Sequence, residues 1–328
     1  MINGYQPPTT ENWQGRIDGT GPACQRWHQV MQLLDLNETI TADLAGAFVL
    51  LGFACDEGVR RNQGRPGAAA GPGSIRTVLR NLPVHHTAQV MLYDAGNIIC
   101  ENDDLEMAQE QLAAAVNAIL EKKGFPVVLG GGHEVAYGHF KGIRRSRRNN
   151  DITGIINFDA HFDLREPGVS GANSGTGFYQ IANDLQEQGA LFAYLPVGLQ
   201  QISNTLQLFE TAGALGVKYI EAAAMYDLNL PSLEQQVQAF LNHVDEVYLT
   251  IDLDVFAAAY APGVSAVAFN GITPGYCFLS LLQQIFQSGK LVSFDIAELN
   301  PGFDKDQRTA RLAAELIFRL VCTIDASQ

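Results

Sequence analysis

What the chain has little of narrows its function before any motif is read. Its five cysteines (Cys24, Cys55, Cys100, Cys277 and Cys322) are scattered with no CxxC spacing. That excludes a disulfide-framed secreted scaffold and a thiolate zinc module, and the expected setting is a reducing cytoplasm. Charged residues make up only 17%, and basic residues are the minority, 21 against 35 acidic, for a net charge of −14. Apart from Arg144–Arg148 no basic block is present, which argues against a partner with a phosphate backbone. The longest apolar runs, such as Ala47–Phe53, fall far short of the about 20 residues needed to span a bilayer. Met1–Thr20 is polar, with neither a basic start nor an apolar stretch, so no leader peptide is expected. No repeat, low-complexity tract or Pro/Gly/Ser linker divides the 328 residues. A single domain over 1–328 is expected, with 1–46 as surface helix and loop packed on it.

What is present is alternation. Apolar runs at Ala47–Phe53, Val90–Tyr93, Pro126–Leu129, Gly154–Phe158, Leu191–Val197, Val217–Tyr219, Glu246–Ile251 and Lys290–Phe294 read as strands. Amphipathic segments lie between them: Ser74–Asn81, Asp104–Lys123, Glu134–Arg148, Phe178–Gln188, Asn204–Leu215, Leu233–Asn242, Tyr276–Ser288 and Asp306–Val321. Strands that are continuously apolar, each followed by a helix, predict a mainly parallel eight-stranded sheet covered on both faces, a three-layer α/β/α architecture. Ligands in such sheets bind beyond the carboxyl ends of the strands. There the sequence places Asp94, Gly130-Gly131-Gly132-His133, Asp159, Asp252 and Asp295.

Three of these ends carry clusters. In Asp159-Ala160-His161-Phe162-Asp163 the polar residues stand at i, i+2 and i+4, on one side of an extended chain. Asp252-Leu253-Asp254 repeats the pattern at i and i+2. Either could be a set of solvated capping aspartates. Two such sets in one chain are better explained by a shared cation, because converging buried carboxylates repel unless a positive charge lies between them. His133 follows three glycines at an equivalent strand end. A phosphate loop is the competing reading of those glycines, but neither GK[ST] nor GxGxxG follows. The other histidines, His28, His85, His86, His139 and His243, have no such placement and are given no role. Six ligands, all nitrogen or oxygen, exceed what one ion needs and suit two divalent ions of the Mn²⁺ type.

These three signatures, in this order, resemble those of the arginase–agmatinase (ureohydrolase) superfamily, over roughly residues 51–313. The resemblance implies the α/β/α fold, two Mn²⁺ per subunit and hydrolysis of an amidine or guanidine C–N bond by a hydroxide bridging the ions. Carried over by position, His133, Asp159, Asp163 and Asp252 would hold one ion, and Asp159, His161, Asp252 and Asp254 the other. Ser293–Pro301 resembles the family's late Asp-x-x-Glu-x-Asn-Pro segment, which would set Glu298 against the substrate's cationic amidine. Asp254 would also carry the water's proton to the leaving nitrogen.

The departures from arginase and agmatinase carry information. Ala257 and Ala258 replace the usual third aspartate and proline, Val264-Ser265 replaces Thr-Gly, and Ser174-Gly175 stands where a His-Gly is usual. Together with Gly58–Arg65 and Gly71-Pro72 they resemble the branch that converts N-formimidoyl-L-glutamate to L-glutamate and formamide in histidine degradation. A substrate with two carboxylates needs cations in an acidic protein. Arg165 is the first candidate, with Asn62, Arg65 and Ser174 beside it. The alternatives are an agmatinase or another guanidino-acid hydrolase, and a metal-binding member without activity. A binuclear phosphoesterase lacks a basic cradle for its phosphate. Relatives of this kind imply a homo-oligomer acting on a small molecule, with no nucleic acid or membrane partner.

Overall fold

The computed structural model describes residues 2–147 and 151–325. Arg148, the last residue of the basic block and of the helix expected over 134–148, lies outside them. Ten strands form one sheet: β1 (Tyr5–Gln6), β2 (Met31–Leu33), β3 (Ala47–Ala54), β4 (Met91–Ile99), β5 (Phe125–Leu129), β6 (Thr153–Phe158), β7 (Tyr194–Leu199), β8 (Ile220–Glu221), β9 (Glu246–Asp252) and β10 (Leu291–Ala297). Their order is β1-β4-β3-β5-β10-β9-β6-β7-β8, with β2 also on β4, and among these described strands only the β1–β4 pairing is antiparallel.

Ten α-helices accompany them among the described residues: α1 (Trp27–Val30), α2 (Glu57–Arg61), α3 (Gly71–Leu79), α4 (Leu105–Glu121), α5 (Val135–Arg145), α6 (Gly177–Glu187), α7 (Leu206–Ala214), α8 (Leu230–His243), α9 (Tyr276–Phe286) and α10 (Arg308–Asp325). The strands are apolar on both sides because both sides are covered. In β3, Phe48 and Leu50 enter the core shared with α3, α8, α9 and α10. The alternate residues Val49, Leu51 and Phe53 enter the core shared with α4, α5, α6 and α7. Three layers result, and the fold class read from the alternation holds.

Three expectations are corrected. Residues 1–46 are more than surface decoration. They supply β1 and β2, and they bury Trp13 and Trp27. Trp13 Nε1–H donates to Asp94 at 2.8 Å. The sixth apolar run, Val217–Tyr219, lies outside any strand, and the strand begins one residue later at Ile220. Asp94 and Asp295 do not end strands. β4 continues through Gly96 (φ +74°) to Ile99, so Asp94 is buried mid-strand as the partner of Arg76 at 2.8 Å. Asp295 likewise lies inside β10.

The neighbouring order β5-β10-β9-β6 brings four strand ends together at the centre of the sheet. After β5 the chain crosses to β6, leaving room for β10 and β9, so this is where the direction of strand addition switches. A ligand site is expected there.

Candidate metal centre

Each of the four central strands delivers polar residues to this crevice. His133 follows β5, Glu298 follows β10, Asp252 and Asp254 end β9, and Asp159, His161 and Asp163 follow β6. The turn after β5 requires its glycines: a Cβ on Gly131 would stand 1.7 Å from the Cys55 carbonyl oxygen. Asp163 (φ +49°) and Glu298 (φ +69°) are held in the left-handed region, a strain of about 1–3 kcal/mol each for a non-glycine residue. Backbone bonds maintain it, Glu298 N–H to the Gly131 carbonyl at 2.8 Å and Phe178 N–H to the Asp163 carbonyl at 3.2 Å.

Three carboxylates converge on one imidazole nitrogen. His133 Nδ1 is 3.0 Å from Asp159 Oδ2, 3.0 Å from Asp163 Oδ2 and 3.2 Å from Asp252 Oδ2. A second group adjoins it. His161 Nδ1 lies 3.1 Å from Asp254 Oδ2 and 3.4 Å from Asp159 Oδ1, so Asp159 gives one oxygen to each group. His133, Asp159 and Asp252 form one ligand set of metal-binding dimensions; Asp159, His161 and Asp254 form another. His161 and Asp163 are partly open to the crevice, and the rest are buried.

The electrostatics show a site short of positive charge. Burial pushes the carboxyls of Asp252, Asp163 and Asp254 above their ordinary values, and the charge of Asp159 adds to it. Only Asp159 is lowered, burial being outweighed by the His133 and His161 imidazoles beside it. Burial disfavours both imidazolium ions, yet the surrounding aspartates push His133 and His161 well above the usual histidine range. Protons are thus held where cations are wanted. His133 Nδ1 and Asp254 Oδ1 are buried without a hydrogen-bond partner. Those two orphaned atoms, with an all-nitrogen-and-oxygen donor set, fit a pair of divalent ions.

Above the cluster is a cleft of about 350 Å³. It is lined by every residue expected to touch substrate: Asn62, Arg65, Arg165, Ser174 and Glu298. On one wall Arg165 donates to Asn62 Oδ1 at 2.8 Å, and Asn62 Nδ2 donates to Ser174 Oγ at 3.0 Å. On the other, Arg65 donates to the carbonyls of Ser265 (2.8 Å) and Val264 (2.6 Å) and stacks on Phe303. Among the described residues neither guanidinium pairs with an acidic side chain. Glu298 Oε1 accepts the His133 backbone N–H at 2.9 Å, while Oε2 is buried without a partner. Burial, and then the charge of Glu134, push its carboxyl up.

Several contributors went unread in the sequence. Asn157 Nδ2 donates to Asp159 Oδ2 at 3.0 Å, and Thr250 Oγ1 lies 3.0 Å from His133 Nε2. Each stands two residues before a cluster aspartate on the same strand face, a spacing that could have revealed them. His139, given no role, is fully buried 2.6 Å from Asp295 Oδ2.

The sequence model of the arginase family matches residues 46–322. The chain belongs to the arginase family. Among the curated members it resembles are the formimidoylglutamases of Cupriavidus pinatubonensis, 48% identical over 95% of this chain and 98% of that one, and of Streptococcus pyogenes serotype M5, 43% identical over 98% of both. Of the solved arginase-family structures, that of Trypanosoma cruzi formiminoglutamase with Mn²⁺ superposes with a TM-score of 0.77 at 23% identity, covering 88% of this chain and 97% of that one. At that identity the match establishes the arginase-family fold.

Proposed function

We propose that this chain hydrolyses N-formimidoyl-L-glutamate to L-glutamate and formamide, a step of histidine degradation. The observation that carries the proposal is a metal-ready carboxylate–imidazole cluster beneath two arginines that, among the described residues, pair with no acidic side chain, in a chain 42–48% identical to named formimidoylglutamases. His133, Asp159, Asp163 and Asp252 would hold one Mn²⁺, and Asp159, His161, Asp252 and Asp254 the other. Such a pair supplies an ionised water and a Lewis acid at neutral pH.

The chain's own residues do the rest. Glu298 Oε2, without a protein partner, accepts the amidine N–H and turns the formimidoyl carbon toward the cluster. Asp254 Oδ1, also without a partner, takes the proton released by the attacking water and passes it to the departing glutamate nitrogen. Arg165, aligned by Asn62, and Arg65, aligned by two carbonyls and Phe303, bind the two substrate carboxylates. Ser174 accepts from Asn62, so its own proton is available to the substrate. Arginases carry a histidine there, and a hydroxyl suits a ligand that ends in anions rather than in a guanidinium.

The reading extends to the whole chain. Residues 1–328 form a single catalytic domain, supported by the pairing of β1 and β2 with β4. The enzyme works in the cytoplasm, supported by five cysteines that form no disulfide. No helix of the described residues is long and apolar enough to cross a membrane. Exposed Ile202, Leu206, Leu228 and Phe269 support assembly with further copies of the chain.

The test is product formation by chelator-stripped protein, with and without Mn²⁺, on formimidoylglutamate, arginine and agmatine. Manganese-dependent formamide from formimidoylglutamate alone is expected. Urea from arginine or agmatine would overturn the substrate assignment and leave the metal centre standing.

A further inference from the structure

Two of the side chains that line the cleft, Arg165 and Ser174, belong to one loop, 165–175, between β6 and α6. Its ends are joined, Arg165 N–H donating to the Gly175 carbonyl at 3.0 Å. Tyr179 of α6 adds a hydrogen bond to Glu166 beside that junction. The tip is a turn in which Gly171 N–H donates to the Gly168 carbonyl at 3.0 Å, and Val169 there is wholly exposed. A surface loop closed only at its base is mobile unless something holds it further along.

That hold is Arg61, the last residue of α2. Its guanidinium stands behind the wall, outside the cleft lining, and its side chain is 14% exposed. Nε donates to Glu57 Oε1 at 2.8 Å. Nη1 donates to Glu106 Oε1 at 2.6 Å and to the Ala172 carbonyl of the loop at 3.2 Å. Nη2 donates to Glu106 Oε2 at 3.1 Å and to the Asp103 carbonyl at 3.3 Å. These contacts use all the N–H groups a guanidinium has, and two carboxylates answer its charge, so nothing is left over for a ligand. Gly171 packs against the same ion pair: a Cβ there would stand 3.3 Å from Arg61 Nη1 and 3.4 Å from Glu106 Oε1.

The next residue, Asn62, reaches the same loop from the cleft side, through Arg165 at 2.8 Å and Ser174 at 3.0 Å. Successive residues at the end of α2 thus hold the loop twice, Arg61 at Ala172 and Asn62 at the base. A shift of the loop by about 1 Å would carry the Asn62 bonds past hydrogen-bonding range. We propose that Arg61 is a positioning residue for substrate recognition: it anchors loop 165–175 to α2 and α4 and so fixes Arg165 where a substrate carboxylate meets it. A guanidinium held in place before binding loses less freedom when the ligand arrives. The anchoring is a property of the chain itself; its effect on recognition rests on the formimidoylglutamate reading above.

The test uses Arg61→Lys, which keeps the charge but offers fewer donors from a single point, and Glu106→Ala, an exposed change on α4 that removes the bidentate partner. In hydrogen exchange both variants are expected to exchange faster over 166–175, with β6 and the 130–134 turn unchanged. With Mn²⁺ present, KM for formimidoylglutamate should rise about 10-fold in Arg61→Lys and less in Glu106→Ala, with kcat nearly unchanged. Double-mutant cycles separate positioning from general damage. Arg61→Lys should add little to Arg165→Ala, the residue it acts through, and should multiply the effect of Arg65→Ala on the opposite wall. Wild-type exchange over 166–175 in both variants overturns the proposal. So does a KM that stays put while the loop loosens in an active enzyme, or an Arg61→Lys effect that multiplies equally with both arginine variants. A wild type inactive on formimidoylglutamate, with loop exchange still accelerated in the variants, would remove the substrate reading and leave the anchor.

Discussion

Glu298 and His133 are bound to one another through the backbone: Glu298 Oε1 accepts the His133 N–H at 2.9 Å while Oε2 stays buried and unpartnered at the cleft. One carboxylate thus holds the glycine turn that carries a cluster histidine and keeps its second oxygen for the substrate. Glu298→Gln retains an acceptor for the His133 N–H and removes the charge. We expect kcat/KM to fall at least about 100-fold, or about 2.7 kcal/mol of transition-state binding, with Mn²⁺ content unchanged. Formamide release and elemental analysis of the same preparation check this, and activity within a few-fold of wild type would refute the assigned role.

Asp254 is asked to move a proton, and its Oδ1 is the buried oxygen free to do so. General acid–base groups contribute about 10²–10⁴ in rate, so Asp254→Asn should lower kcat by that factor at saturating Mn²⁺. Metal stoichiometry has to accompany the rate, because the same side chain is 3.1 Å from His161 in the second ligand set. A variant with both ions and normal turnover would dismiss the proton-transfer role.

How much of this was legible depended on how far apart in the chain the interacting residues lie. His133, Asp159, His161, Asp163, Asp252 and Asp254 could be read because each stands at the end of an apolar run, and strand ends converge in any parallel sheet. Arg65 was legible only as a charge. That its guanidinium is fixed by the Val264 carbonyl, 199 positions away, depends on how two loops meet. His139 was passed over because its partners Asp295 and Ser293 are brought to it by β10 inserting beside β5, which no local pattern announces. Asp94 was misplaced for the opposite reason. An acid after four apolar residues looks like a strand end, yet Gly96 carries β4 onward and Arg76 neutralises the charge inside the core.

That Arg76–Asp94 pair makes a prediction independent of catalysis. Arg76 donates from Nε and Nη2 to Asp94 with both side chains almost wholly buried, and Trp13 donates to the same carboxylate. Asp94→Ala leaves a guanidinium without its counter-charge and should cost about 3–5 kcal/mol of stability. It also frees Trp13, so early loss of the N-terminal segment is expected in hydrogen exchange. Denaturant unfolding of the Mn²⁺-loaded protein reads the first effect; a midpoint unchanged from wild type would show that the pair holds nothing together.

Cation removal should be visible without any substrate. Four aspartates share two imidazoles, and burial, with the charge of Asp159 added, pushes the carboxyls of Asp163, Asp252 and Asp254 up. An ion that binds only the folded chain at a hundred times its Kd adds about 2.7 kcal/mol to stability. The melting temperature should therefore rise when Mn²⁺ is returned to chelated protein, and Asp159→Ala should abolish the rise because its two oxygens serve both groups. An unaltered melting temperature in wild type would speak against metal binding at the cluster.

Substrate choice turns on the arginines, and here the two walls should separate. Among the described residues the Arg165 guanidinium is held by Asn62 alone, whereas that of Arg65 is held by two carbonyls and an aromatic face. A hydrogen bond to a charged group contributes about 1.5–3 kcal/mol, so Arg165→Ala should raise KM for formimidoylglutamate by roughly 10- to 150-fold. Arg165→Lys should recover little of it, because a point charge cannot reproduce the fork that engages Asn62 and a carboxylate together. Asn62→Ala should act in the same direction but more weakly, since the guanidinium survives and loses only its alignment. Arg65→Ala should raise KM as well and also loosen the 264–265 loop that its guanidinium clamps. Steady-state kinetics on formimidoylglutamate, beside an analogue lacking the side-chain carboxylate, distinguish the two. The arginine that meets that carboxylate loses its mutational effect with the analogue, and the arginine that meets the α-carboxylate keeps it. Equal KM values for wild type and both variants would place the substrate's charges elsewhere in the cleft.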